Sequence, residues 1–120
     1  MDPNTRACIA AAVGRLICGG ASTSVYDYSR SKHIIINGSI SEGIVRLYDN
    51  DRQCHFSGSG SNGDYDLYDH GNEAHVKLQI IGDEFRGYDY ATKRHFSGTV
   101  NGNSVSLYDY GESKRFHYRV

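Results

Sequence analysis

Residues 94–110 read Arg94-His95-Phe96-Ser97-Gly98-Thr99-Val100-Asn101-Gly102-Asn103-Ser104-Val105-Ser106-Leu107-Tyr108-Asp109-Tyr110. Side chains of a strand alternate between its two faces, so Phe96, Gly98 and Val100 share one face and His95, Ser97 and Thr99 the other. The following segment sorts in the same way, with Val105, Leu107 and Asp109 opposed to Ser106, Tyr108 and Tyr110. Asn101-Gly102 between the two segments is a strong hairpin signal, because both central residues of a type I′ turn need positive φ. It predicts Phe96 opposite Leu107 and His95 opposite Tyr108. The preceding polar run, Ala91-Thr92-Lys93-Arg94, predicts Tyr90 opposite His95 and Asp89 opposite Phe96. Both turns point the apolar residues the same way.

The pattern recurs along the chain. Tyr-Asp stands at Tyr26-Asp27, Tyr48-Asp49, Tyr68-Asp69, Tyr88-Asp89 and Tyr108-Asp109, in steps of 22, 20, 20 and 20 residues. Another copy, Tyr65-Asp66, lies off this period. Seven residues after each periodic tyrosine come His33, His55, His75, His95 and Arg115, followed by Ile34, Phe56, Val76, Phe96 and Phe116. The fold class is therefore mainly β: an antiparallel up-and-down meander of about ten strands in five hairpin repeats of about 20 residues. Two extra residues near Ser41-Glu42 imply a longer turn in the first unit, and Asn62-Gly63 allows two registers that differ by two residues. A parallel solenoid repeats at similar length, but the hairpin turn chemistry favours the meander.

An open meander leaves two unpaired edges, whereas pairing 24–28 with 116–120 closes it into a barrel. Ten strands enclose more space than their own side chains fill, so something must occupy the middle. The N-terminal segment supplies a helix over 5–18, preceded by Asp2-Pro3-Asn4 and stopped by Gly19-Gly20. Small residues Ala10, Ala11, Ala12 and Gly14, with inward glycines such as Gly58, Gly60, Gly87 and Gly98, would let it plug the barrel. Covering one face of the sheet is the competing arrangement. The whole of 1–120 reads as a single domain, with the helix at 5–18 and the hairpins over 24–120.

The Tyr-Asp dipeptide at about 20-residue spacing resembles the YD repeats of large secreted shell-forming proteins. Those repeats continue with a Gly-Arg pair that none of these units has. The resemblance covers a dipeptide and a spacing, and brings no function with it.

Composition narrows the classes. Thirteen Lys and Arg against 14 Asp and Glu give a net charge of −1, which disfavours nucleic acid or an anionic membrane as partner. Three cysteines, Cys8, Cys18 and Cys54, make an odd number, with Cys54 in a predicted turn. Free thiols suit a reducing, cytoplasmic setting. The apolar stretch from Ala7 to Ile17 is interrupted by Arg15, follows Asp2, and is too short to span a bilayer. No cofactor-binding motif is present, and repeated equal units rarely build the asymmetric constellation that an enzyme needs.

Two rings are candidate sites. The outer band comprises Tyr26, Tyr48, Tyr68, Tyr88 and Tyr108 with His33, His55, His75, His95 and Arg115. In the expected register His33 lies between Tyr28 and Tyr48, His55 between Asn50 and Tyr68, His75 between His70 and Tyr88, His95 between Tyr90 and Tyr108, and Arg115 between Tyr110 and Tyr26. Flat rings with hydrogen-bonding tips suit a protein or glycan partner, or else act only as stabilising cross-strand pairs. His70 and His75 facing each other offer two metal ligands, too few for a closed zinc site.

The inner ring is Asp27, Asp49, Asp69, Asp89 and Asp109, placed by the alternation on the apolar face. Buried carboxylates need partners: turn amides, a metal cation, or a guanidinium such as Arg6 or Arg15. Function accordingly reads as a non-enzymatic binding or interaction module. A structural protein with a cation in its Asp ring, and a small His/Asp enzyme, are the alternatives.

Overall fold

Strands with one apolar face must cover it, and here they do so by closing around the helix. A computed structural model describes residues 1–19 and 23–120. Helix α1 spans Pro3–Cys18, and the strands are β1 Ser24–Asp27, β2 Lys32–Ser41, β3 Ile44–Asp49, β4 Cys54–Ser61, β5 Asp64–Asp69, β6 Ala74–Ile81, β7 Glu84–Asp89, β8 Arg94–Asn101, β9 Ser104–Asp109 and β10 Lys114–Arg119. The ten strands run antiparallel in chain order, and β1 pairs with β10 to complete a closed barrel. That closing seam is brief, with Tyr26 opposite Arg119 and Asp27 opposite Tyr118.

The helix plugs the barrel. Its residues from Asn4 to Gly14 are buried without a break, and it contacts β1, β2, β3, β8 and β9. Because every side of that segment meets the wall, it carries no polar stripe of the kind that marks a surface helix. It begins two residues earlier than expected: Asp2 is the N-cap, its carboxylate accepting from the Asn4 amide at 2.8 Å, and Pro3 occupies the first turn. At the far end the Gly19 amide donates to the Arg15 carbonyl. Gly20, the second residue of the expected stop, lies outside the described residues.

The facing of the strands follows the alternation, but the register differs from expectation by two residues at both kinds of turn. Gly102 has a φ of 60° while Asn103 has no positive φ, so Gly102-Asn103 forms the centre of a type II′ turn, with Asn101 opposite Ser104. Phe96 then faces Asp109, and Gly98 faces Leu107. At the other end, Tyr90 to Lys93 form a four-residue loop in which the Lys93 amide donates to the Asp89 carbonyl at 2.8 Å. Asp89 consequently faces Arg94, and Tyr88 faces His95. A shift of two returns every side chain to its original face, which is why the core is as expected.

Three further expectations change. Asn62 and Gly63 both have positive φ and form a type I′ turn between Ser61 and Asp64. The first hairpin has an equally short turn at Glu42-Gly43, and its extra residues lengthen β2 to 10 residues against 8 in β4. Cys54 opens β4, opposite Asp49, and does not lie in a turn.

The inward glycines accommodate the wall more than the helix. A Cβ on Gly87 would meet the Lys77 carbonyl oxygen at 2.1 Å and the Phe96 ring at 2.4 Å, and one on Gly98 would meet the Ser106 oxygen at 2.0 Å and Phe85 at 2.6 Å. Gly58 and Gly60 likewise lie against the backbone of β5. These positions let strands coil tightly and aromatic rings fold over bare backbone, both of which barrel closure requires.

Candidate functional site

Each of the five periodic Tyr-Asp dipeptides ends a strand at the same mouth of the barrel, so alternation sends the tyrosine outward and the aspartate inward. The five aspartates are at most 1 % exposed. One oxygen of each accepts the backbone amide two residues further on: Ser29, Asp51, Gly71, Ala91 and Gly111, at 2.9 to 3.0 Å. This is the aspartate turn bond that fixes each four-residue loop.

The second oxygens meet other donors, most of them from the helix or from two arginines. Arg30 Nε donates to Asp27 at 2.6 Å, and Arg52 Nε donates to Asp49 at 2.7 Å. Arg52 also reaches Asp69 at 3.1 Å, where the Thr5 hydroxyl donates as well. Asn4 donates to Asp49 at 3.0 Å. Asp109 receives Arg6 at 3.1 Å and lies 3.2 Å from the Met1 amine. Asp89 is the exception, served by the Thr92 hydroxyl of its own loop at 2.9 Å. Arg15 lies elsewhere, donating to the Ile36 carbonyl at 2.8 Å, and is not a partner of the ring.

The electrostatics follow from these contacts. Burial pushes the Asp27 carboxyl up, but bonds from Ser29 and Arg30 and the Arg30 charge more than offset it, leaving it below the ordinary value. At Asp109 burial is likewise outweighed, by the Met1 amine, the Gly111 amide and Arg6. Burial works against the charge of Arg52, yet its bonds to Asp49 and Asp69 hold it above an ordinary arginine. Burial and Asp49 push the Cys8 thiol up. Among the described residues no group of three or more His, Cys, Asp or Glu side chains is arranged to hold a metal ion.

The ring was visible as a set of aspartates, but Arg30 and Arg52 were not singled out. Their signal is an arginine three residues after Asp27 and after Asp49. Tyr118 is a further inward residue, 1 % exposed, whose hydroxyl has no partner among the described residues. Burial and the Asp27 charge push it up to about 12.

The outer band is assembled differently from its expected pairing. Each tyrosine meets the histidine of its own unit edge to face: Tyr26 with His33 at 4.7 Å, Tyr48 with His55 at 4.9 Å, Tyr68 with His75 at 5.0 Å and Tyr88 with His95 at 4.8 Å between centroids. The Arg115 guanidinium lies 5.6 Å from the Tyr108 ring, and Tyr26 faces Arg119 instead. Many of these tyrosines gain a second edge contact two residues on, from Tyr28, His70, Tyr90 or Tyr110. The two-residue shift in the loops is the cause. His70 packs near His55, with 6.2 Å between rings, while His75 turns to Asp66 at 3.1 Å, so His70 and His75 do not form a facing pair.

Across β4 to β8, with Tyr110 from the loop after β9, the band borders an open groove of about 1260 Å³. Two cross-strand rows build its bed. Asp66, Lys77, Tyr88 and His95 stand opposite one another on successive strands, and the Tyr110 amide donates to the His95 carbonyl at 3.2 Å. Asp64, Gln79, Arg86 and Ser97 form the second row. Lys77 lies 3.1 Å from Asp66, and Arg86 Nε donates to Gln79 at 2.7 Å. Chemically, the inner ring fastens helix to wall, whereas the groove presents aromatic and polar side chains to solvent. No protein family, no curated protein sequence and no solved structure matches this chain.

Proposed function

We propose that the chain is a non-enzymatic binding module whose ligand contacts come from the outer Tyr/His band, concentrated in the groove over β4 to β8. The observation that carries this reading is the groove itself, where Tyr88, His95 and Tyr110 border a concave surface with charged and amide side chains. Aromatic rings with polar tips supply contact area and direction together. Support also comes from the inner aspartates, whose oxygens are already occupied by amides, hydroxyls and guanidinium groups of the chain. That ring is a fastening, and it leaves the exterior as the surface for partners. A protein or a glycan is the partner class, and a reducing compartment such as the cytoplasm suits the three free cysteines.

The experiment is a glycan array together with a pull-down, run with the native chain and with Tyr88→Ala and Tyr110→Ala. Retention of a ligand that both variants lose, at unchanged folding, supports the reading. If the substitutions alter only stability, by about 0.5–1.5 kcal/mol as expected for an edge-to-face pair, the band is structural.

A further inference from the structure

We propose that the groove over β4 to β8 takes an acidic oligosaccharide, a ligand class that rests on the binding-module reading above. Arg86, Lys93 and Arg94 line it and none has a carboxylate within ion-pair distance among the described residues, whereas Lys77 is already paired with Asp66. Asp64 is the one unpaired carboxylate in the lining. The surplus charge is therefore positive on a protein whose net charge is −1, and it lies beside Tyr88, His95 and Tyr110.

The positions suit an anionic sugar chain. Arg86 and Tyr88 project from the same face of β7, roughly 7 Å apart along the strand. Arg94 precedes His95 on β8, and His95 faces Tyr88. The Arg86 guanidinium beside the Tyr88–His95 pair can fix a carboxylate or sulfate while the rings cover a pyranose face, and Arg94, on the other face of β8 at the mouth beside Gly111, adds positive charge at the rim. Gln79 and Ser97 add hydroxyl-seeking amide and hydroxyl groups on the adjoining row. An extended peptide is less well served: β6, β7 and β8 each have neighbours on both sides, so no backbone edge is available for strand addition.

The test is an array of neutral, uronate-bearing and sialylated oligosaccharides, followed by calorimetric titration of the tightest binder and its neutral core. We expect acidic sugars to bind at least about tenfold more tightly than their neutral cores, with the difference shrinking as salt rises. Arg86→Ala and Lys93→Glu should each weaken the acidic ligand by roughly tenfold without shifting the melting temperature. Tyr110→Ala, at a side chain 52 % exposed, should weaken acidic and neutral sugars alike. Tyr26→Ala, outside the groove, should do neither.

Equal binding of neutral and acidic sugars overturns the inference, as does loss of binding on Tyr26→Ala with none on Arg86→Ala. A protein partner captured through Tyr88, with no sugar bound, overturns the ligand class and leaves the binding-module reading standing. Absence of both ligand types removes the two together.

Discussion

Arg52 connects more of the molecule than any residue of the band. Its guanidinium reaches Asp49, Asp69 and the Thr5 hydroxyl, and it is 16 % exposed. Removing it leaves two buried carboxylates short of a cation, so Arg52→Met should destabilise by about 3 kcal/mol or more in urea unfolding. The aspartates themselves should not cost alike. Asp49 bonds both Arg52 and Asn4, while Asp89 bonds only its own loop. An amide keeps the turn-capping oxygen, so Asp89→Asn should cost about 1 kcal/mol and Asp49→Asn distinctly more in the same assay.

The carboxylates also set the acid limit. Asp27 and Asp109 have native pKa values below their unfolded ones, so each adds stability that is fully present above about pH 4 and is lost as pH falls through the native value. Asp27→Asn should therefore flatten the decline of stability as pH falls below about 4, read from melting temperatures across the acid range. The inward position of these residues was legible from alternation alone. Arg6 was among the candidate guanidinium groups and does bond Asp109, whereas Arg30 and Arg52 were not singled out, because the mouth loops decide which side chains can reach inward.

At the scale of the elements, turns set the details that alternation leaves open. Periodicity of two fixes which face a side chain takes, and a slip of two residues escapes it entirely. Phe96 was rightly assigned to the core, yet its true neighbour across β9 is Asp109 and not Leu107. The difference lies in one torsion: Asn101-Gly102 and Gly102-Asn103 contain the same glycine, and a type II′ turn wants it first. The mouth loops carry a second uniform feature. Ser31, Gln53, Glu73, Lys93 and Ser113 end them with φ between 50° and 58°. Replacing Glu73 by glycine relieves that conformation at no lost contact inside the barrel, and should raise stability by about 0.5 kcal/mol. Gly87→Ala should act oppositely, costing about 1–3 kcal/mol by thermal melting because its Cβ collides with the Lys77 carbonyl and the Phe96 ring.

Over the whole molecule, the barrel encloses a helix whose partners come from both ends of the chain. Arg6 bonds Asp109, and Gly14 lies under Val120 so closely that a Cβ there would stand 2.6 Å from a valine methyl. Closure and the plug were legible from edge pairing, strand number and the slim, Ala-rich helix. The groove was not, since it depends on how side chains from separate strands and loops, Arg86, Lys93 and Tyr110 among them, stand together in space. One consequence reaches beyond the native state. The helix is fully enclosed only when β1 meets β10, so until the fifth hairpin has formed the chain holds an unrolled sheet and a partly uncovered helix. Its assembly is dominated by distant pairings, which should make refolding a matter of milliseconds to seconds and leave the half-wrapped species exposed to rescue or capture by chaperones.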